Sequence, residues 1–429
     1  MNLQEYLDQV CSLIRFREIR PQVRKELESH LDEIIEESLQ KGKGQQEAEE
    51  EALRRMGPAQ QLGQELDQAH RPRFEWSLIL ISGIFTALGL FTLYSIQSHG
   101  LLRSDQPYLS TSLVSTAVGA LMLLSLSFWD YAHLRRASGK LYAAAIALLF
   151  LSLFTHPQGR GYGIIITFVP VNFIPATPFL LLVSVAGIFS RPSWRWKARE
   201  WGKALGLLLI PILFYCLNPS FPSIILFVGG FLTLVRFSGA NWKQTLGLAV
   251  VVPFITMMFF NKSYQWERLT VFLHPWSNPK GMGYNNIQLH NALYHAKLHG
   301  QGAIPLDRIP NFHTDFIFAY LVNAFGWLLG VLVLGLVFLL IIRLFKAAYT
   351  IKDYYGRLLS LGSAVMIMME FAWNLLMTFG LLPIIDIPLP FISYGGTLFI
   401  SQMLLLGLVM SAYRRRDLER EGDCPSVQT

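Results

Sequence analysis

The stretch "NFHTDFIFAY", residues 311–320, sets His313 and Asp315 directly before an apolar run that continues almost unbroken to Phe345. A carboxylate well inside a bilayer costs roughly 2.5–3.5 kcal/mol, less at the edge, and ionisable residues in such places tend to be kept for function. Asp315 is therefore the leading candidate for a general acid or base, with His313 placed to orient it or share its proton. A plainer reading stands beside it: Thr314 and Asp315 both suit the start of a helix, as caps and as charges favoured by its dipole. The polar segment before them, about 261–313, is longer than a mere connection, and such loops are usually functional or disordered. Its aromatics, Tyr264, Trp266, Trp276, Tyr284 and Tyr294, suit a bilayer interface, and "PKGMGY" is a Gly-rich turn carrying Gly281 and Gly283. An ordered, partly embedded loop is expected. Arg268, with Lys297 ranked after it, can meet phosphate or another anionic head group, while Glu267 and Asp307 are further acids.

Two other polar groups lie in apolar surroundings. Asn374 is either an interhelical hydrogen bond or part of a cavity wall. Ser393, Tyr394, Gly395 and Gly396 either line a polar cavity or form a helix entry where glycine permits close packing. No His/Cys cluster at metal spacing accompanies them, so no metal ligands are assigned.

The elements that must position these residues are membrane helices. The chain has 429 residues, 52% hydrophobic and 15% charged, with the apolar residues in blocks long enough to cross a hydrocarbon core. The expected class is all-α: a polytopic membrane protein of about ten transmembrane helices with a small cytoplasmic helical domain at its N-terminus. The ten candidate spans lie near 76–96, 108–128, 138–155, 172–190, 203–218, 220–237, 244–260, 314–345, 357–383 and 394–413. Lys and Arg collect after every second span: Arg135, Arg136 and Lys140 after the second, Arg343 and Lys346 after the eighth, Arg414 to Arg416 after the tenth. That alternation puts both termini in the cytoplasm and the 261–313 loop outside.

Residues 1–72 read as a cytoplasmic helical domain. Leu3, Tyr6, Leu7, Val10 and Ile14 keep helical spacing, as do Val23, Leu27, Leu31, Ile34, Ile35 and Leu39, and Gly57-Pro58 marks a stop and restart. Residues 1–73 hold 11 Lys/Arg against 15 Asp/Glu, so the net charge of +7 comes entirely from the membrane part. The excess is topological and does not point to nucleic acid. Cys11, Cys216 and Cys424 are far apart and read as ordinary thiols.

Four segments carry a resemblance. "YQWERLTVFLHPWSNPKGMGYNNIQ" (264–288), "GQG" (300–302), "IPNFHTDFIFA" (309–319) and "LLPIIDIPLPFISYGGTLFISQMLLLGL" (381–408) are similar to the signatures of the shape, elongation, division and sporulation (SEDS) family, that of FtsW, RodA and SpoVE. The resemblance spans roughly 76–413, with 414–429 left as a cytoplasmic tail. It implies a ten-helix enzyme of the bacterial cytoplasmic membrane that polymerises peptidoglycan from lipid II, releasing undecaprenyl pyrophosphate. A class B penicillin-binding protein transpeptidase is the implied partner. Asp315 matches the family's catalytic aspartate. Substrate contacts are expected from Arg268, Lys297, Gly281, Gly283, Tyr284, Gln288, Asn374, Ser393, Tyr394, Gly395 and Gly396. A divalent cation, magnesium or manganese, is the one cofactor the leaving pyrophosphate would call for. Residues 1–72 are similar to prefix domains of some bacterial permeases.

Several positions depart from the family. Where relatives open the fourth span with Gln-Pro-Ser-Glu and a following lysine, this chain has "IPAT" (174–177), then Pro178 and Phe179. An aspartate after the fifth span is Ser220, a glutamate before the His-Thr-Asp is Asn311, paired glutamates after it are Asn323 and Ala324, and a serine after Gln288 is Leu289. Arg160 is a candidate replacement for part of the missing positive charge. Two other readings stay open: a non-catalytic scaffold or regulator that binds lipid-linked precursor, and a flippase for such precursors.

Overall fold

The structure, a computed structural model, describes residues 2–69, 71, 74–101, 108–154, 164–166, 169–171, 173–191, 196–258, 263–300 and 311–417. Arg160 and Asp307 lie outside the described residues. The chain divides into two compact units. One comprises the first 74 residues with the stretch that starts at Arg414, and the other spans Glu75–Tyr413.

The first unit holds four helices, α1 (Leu3–Leu13), α2 (Arg20–Gln40), α3 (Gln45–Met56) and α4 (Ala59–Ala69). Tyr6, Leu7, Val10 and Ile14 meet Val23, Leu27 and Leu31 in one core, closed by Ala52 and Ala59. The 3.6-residue spacing has thus turned two apolar stripes toward each other. Ile34 and Ile35 pack on its edge, whereas Leu39, in the last turn of α2, is 43% exposed. Gly57 ends α3 and its carbonyl accepts the Tyr6 hydroxyl at 3.0 Å. In the same unit the buried Arg415 guanidinium donates through Nε and Nη2 to both oxygens of Glu18, at 2.5 and 2.9 Å.

The second unit is helical apart from two three-residue strands, β1 (Ile164–Ile166) and β2 (Val169–Val171), paired antiparallel. Its helices begin with α5 (Trp76–Ser98), α6 (Tyr108–Phe128), α7 (Ala132–Ser152) and α8 (Thr177–Phe189). Next come α9 (Ala198–Leu217), α10 (Phe221–Phe237), α11 (Trp242–Met258), α12 (Ser263–Thr270) and α13 (Tyr284–Tyr294). The last four are α14 (Ile317–Phe325), α15 (Trp327–Thr350), α16 (Tyr354–Thr378) and α17 (Gly396–Arg414). Six of them, α5, α6, α9, α15, α16 and α17, are long and apolar enough to cross a membrane, and α8, α10 and α11 are shorter apolar helices. With α7 they stand where ten spans are expected. This is a polytopic helical membrane protein.

Burial separates an inner set of helices from an outer one. α8 is short, yet 11 of its 13 residues are buried, and it packs against α7, α10 and α16. α16 is buried from Tyr355 to Thr378 along most of its length and begins on a cap, the Asp353 carboxylate accepting Gly356 N–H at 2.7 Å and the Tyr131 hydroxyl at 2.6 Å. By contrast α6, α11 and α15 leave large apolar side chains uncovered, among them Leu121, Phe254 and Phe338 at 64%, 69% and 67%. Such a surface is costly in water and natural against lipid. Pro211 in α9 and Pro253 in α11 fit the same environment.

The expected eighth span, 314–345, is two helices. Gly326, at φ 96°, ends α14 in a conformation that L side chains rarely adopt, and a Cβ there would fall 2.4 Å from the Gly300 nitrogen. The carbonyls of Lys297 and Leu298 then accept the Trp327 and Leu328 N–H groups at 3.2 Å each, satisfying donors that the start of α15 cannot satisfy itself. A short buried helix, α14, is thereby set apart from the membrane-crossing α15, and the residues before it are free to form a turn.

Candidate active site

That turn, residues 311–316, is organised by Asn311. Its backbone is left-handed, φ 58°, which asparagine tolerates better than most residues. Its carbonyl accepts the N–H groups of Thr314 and Asp315 at 3.0 and 3.1 Å and the Thr314 hydroxyl at 3.1 Å. An asparagine in the place of the family's glutamate therefore shapes the turn that presents Asp315. The helix that follows begins only at Ile317, with Phe316 as its cap residue and no side-chain cap bond, so Asp315 and Thr314 do not cap it.

Two other segments grip the turn. Asn374, fully buried in α16, donates from Nδ2 to the carbonyls of Asp315 and Ile387, at 2.8 and 2.7 Å. It is the interhelical hydrogen bond that its place in an apolar span suggests. Ser393 donates to the Thr314 carbonyl at 2.6 Å and accepts Leu389 N–H at 2.8 Å, and Tyr394 N–H donates to the His313 carbonyl at 3.2 Å. "HTD" and "ISY" are thus hydrogen-bonded partners 79 residues apart in sequence. Gly396 opens α17 against Ser115 of α6, with no room for a Cβ, and Gly395 leaves open space. Between them and the turn, Phe391 is held at φ 63°, a strained conformation for an aromatic residue, by its N–H bond to Gln402 Oε1 at 3.2 Å.

Asp315 itself is 7% exposed. Burial pushes its carboxyl up to about 7, the nearby Asp386 carboxylate adds to the rise, and Asn311, Arg268 and Thr314 offset part of it. The Asn311 amide reaches its Oδ2 at a long 3.5 Å. His313 does not hydrogen-bond the Asp315 carboxylate among the described residues. Its ring instead packs against Tyr108 and Tyr394, with centroids at 5.1 and 6.0 Å, and its buried Nδ1 has no partner. Burial lowers its pKa, keeping the ring neutral.

Arg268, at the end of α12, joins the site through Asp386. Its Nη2 donates to Asp386 Oδ1 at 2.9 Å and its Nε to the Ile384 carbonyl at 3.1 Å, so an incoming anion must compete with a carboxylate for it. Asp386 also lines a cavity of about 190 Å³ with Glu370, Pro175, Ser220 and Ser223. Those positions include two of the family departures, Pro175's neighbours and Ser220. Carboxylates are present at this cavity after all, supplied by α16 and by the segment after it. Glu370, 2% exposed, accepts Gln402 Nε2 at 2.9 Å. Neither Asp386 nor Glu370 was an expected site residue, although a carboxylate inside an apolar span is itself a signal.

Lys297, Gly281, Gly283, Tyr284 and Gln288 are not hydrogen-bonded to this constellation among the described residues. Lys297 is exposed near the head of α15. Gly281 and Gly283 turn the chain into α13, and a Cβ on Gly283 would lie 2.0 Å from the Pro275 carbonyl oxygen. Tyr284 and Gln288 are half-buried on α13. Among the described residues no three His, Cys, Asp or Glu side chains converge as metal ligands, so the protein alone does not form a metal cage. Asp315 and Asp386 are the two carboxylates to which a cation held mainly by phosphate could add.

The comparisons agree with this geometry. The model of the cell cycle protein family of FtsW, RodA and SpoVE matches residues 75–418. Peptidoglycan glycosyltransferase MrdB of Escherichia coli (strain K12) is 35% identical over 227 residues, covering 51% of this chain and 61% of that protein, so the match spans about three-fifths of this curated relative. The probable peptidoglycan glycosyltransferase FtsW of Trichlorobacter lovleyi is 26% identical over 352 residues, 79% of this chain and 92% of that one. Among solved structures, a chain from a study of the coordination of polymerization and crosslinking by a peptidoglycan synthase complex superimposes with a TM-score of 0.67 at 26% identity. It covers 81% of this chain and 99% of its own. Thermus thermophilus rod shape determining protein RodA shares the fold, at a TM-score of 0.61 and 22% identity over 81% of this chain and 98% of that one. With the family model covering the whole membrane unit and its two signature segments bonded around Asp315, the chain belongs to the FtsW, RodA and SpoVE family of cell cycle proteins.

Proposed function

We propose that the chain polymerises peptidoglycan glycan strands from lipid II at the outer face of the cytoplasmic membrane, with both termini in the cytoplasm and Asp315 as general base. The observation that carries this reading is the state of Asp315: buried, outside any helix cap, held by Asn374 and Ser393 from two other segments, and with its carboxyl pushed up to about 7. A base whose pKa matches the working pH combines availability with driving force for proton transfer. Asp315 takes the proton of the acceptor hydroxyl as that oxygen bonds to the anomeric carbon of the donor. The bond from that carbon to the pyrophosphate oxygen breaks, and undecaprenyl pyrophosphate leaves with the electron pair.

Arg268 meets the leaving group by exchanging its Asp386 partner for phosphate, a charge-assisted contact of the kind guanidinium forms readily. A divalent cation, magnesium or manganese, would share the pyrophosphate charge beside Asp315 and Asp386. The likeness to a chain of a peptidoglycan synthase complex supports a transpeptidase partner for this one. The scaffold reading explains the altered positions equally well, but it gives no reason to hold a carboxylate in this desolvated state.

Glycan polymerisation from purified lipid II in reconstituted membranes, with and without a class B transpeptidase, tests the reading. Wild type should form polymer, and Asp315→Asn should lose at least two orders of magnitude in rate, the usual worth of a positioned base. No polymer from wild type under either condition rejects the enzyme. Full activity of Asp315→Asn rejects the base while leaving the family reading intact.

A further inference from the structure

A second cavity, about 340 Å³ in volume, lies between α13, the head of α15 and the end of α16. Trp276, Tyr294, Trp327 and Phe379 wall it, and Asn286 and His290 face it. Two indole bonds keep this frame in place on one side: Trp327 Nε1 donates to the Leu293 carbonyl at 3.3 Å, and one turn earlier Asn323 Nδ2 donates to the Ala292 carbonyl at 2.9 Å, so α13 is fastened to α14 and α15. Asn286 is 6% exposed, yet neither its amide oxygen nor its amide nitrogen has a hydrogen-bond partner. Buried polar side chains are as a rule paired, so an amide left open at both ends in a cavity wall is best explained by a ligand that supplies both bonds. The cavity is also close to the chemistry. Thr378, part of its lining, donates to the Asn374 carbonyl at 2.7 Å, one helical turn from the amide that holds Asp315.

The ligand must offer a donor and an acceptor in one plane and flat C–H faces for aromatic walls. A carboxylate only accepts, and an acyl chain does neither. An acetamido sugar does both, its N-acetyl group pairing with the carboxamide and its ring C–H bonds resting on the negative faces of the aromatic rings. We infer that this cavity is a glycan subsite that binds an N-acetylated amino sugar of the substrate or growing strand, with Asn286 reading the acetamido group and Trp276 and Tyr294 stacking on the sugar. The inference rests on the polymerase reading for the origin of the sugar, and the subsite itself is separate from the Asp315 centre.

The test uses the full chain in nanodiscs and the soluble β-1,4 tetrasaccharide of N-acetylglucosamine, beside its fully de-N-acetylated form and a short alanine-containing peptide as a bare amide source. Saturation-transfer NMR and tryptophan quenching report binding without any need for turnover. The N-acetylated tetrasaccharide should bind, with its acetyl methyl protons most saturated, and the de-N-acetylated form and the peptide should bind at least tenfold more weakly. Asn286→Leu should lose at least tenfold in affinity. Trp276→Ala, at a position 64% exposed and so safe for folding, should lose severalfold. Equal binding of the two saccharides, preference for the peptide, unchanged affinity in both variants, or no saccharide binding by wild type at millimolar concentration overturns the inference. A wild type that polymerises lipid II but ignores the tetrasaccharide removes the subsite and leaves the enzyme. One that binds the tetrasaccharide but makes no polymer does the reverse.

Discussion

With burial holding its carboxyl at about 7, Asp315 exchanges its proton in the range where an acceptor hydroxyl must give one up. The base form dominates above that value, so kcat/KM for polymerisation should rise with pH through about 7 and level off. Removing a like charge with Asp386→Asn should move this limb to lower pH. A pH–rate profile that is flat between about 5.5 and 8 would speak against Asp315 as base. The same burial costs stability. Between the ordinary carboxylate range and about 7 the folded chain keeps a proton that the unfolded chain has released, so stability falls as pH rises through that window and is constant above it. Asp315→Asn should therefore melt higher than wild type at pH 8, with a gain that shrinks toward pH 4; thermal unfolding at both pH values decides it. Asp315, Asn374 and Ser393 were legible because each places a polar group at the edge or inside of an apolar run. Asp386 was not, since "PIIDIP" reads as an ordinary turn and only folding brings it to Arg268. His313 adjoins Asp315 in sequence, but its ring points into an aromatic cluster. Two residues apart in a turn, side chains need not share a direction.

The elements show a similar division. Long apolar blocks fix where membrane helices run, and all ten positions hold a helix. The break at Gly326 escaped because glycine inside a long apolar helix is common in membranes, and nothing local shows that the 297–300 segment docks there. That docking decides the function of the region, since an unbroken helix from 314 would make Asp315 a cap. Gly326→Ala should strain the break and push the added methyl into the Gly300 backbone, lowering polymerisation at least severalfold along with stability. Gly283→Ala should act more locally. Its Cβ would strike the Pro275 carbonyl, so the loop from α12 to α13 must shift, and limited proteolysis between 263 and 294 should become faster while the ten spans keep their helicity by circular dichroism.

On the scale of the whole molecule, the net acidity of the first 73 residues and the basic loops of the remainder describe two parts with different surroundings. The sequence showed the division but not its far end, because Arg414 to Arg416 look like one more topological cluster. Arg415 instead completes the first unit, buried and paired through both nitrogens with Glu18. Glu18→Gln should weaken that unit by about 2 kcal/mol, the range for a hydrogen bond to a charged group. Hydrogen exchange in α1 and α2 should then accelerate while polymer yield stays as in wild type. The pair also has a consequence in time. Its partners are 397 positions apart, so at ordinary rates of synthesis roughly 20–80 seconds separate the emergence of Glu18 from that of Arg415. The unit that leaves the ribosome first is the last to be finished, and a closed Glu18–Arg415 pair is a molecular receipt that every intervening span has been made.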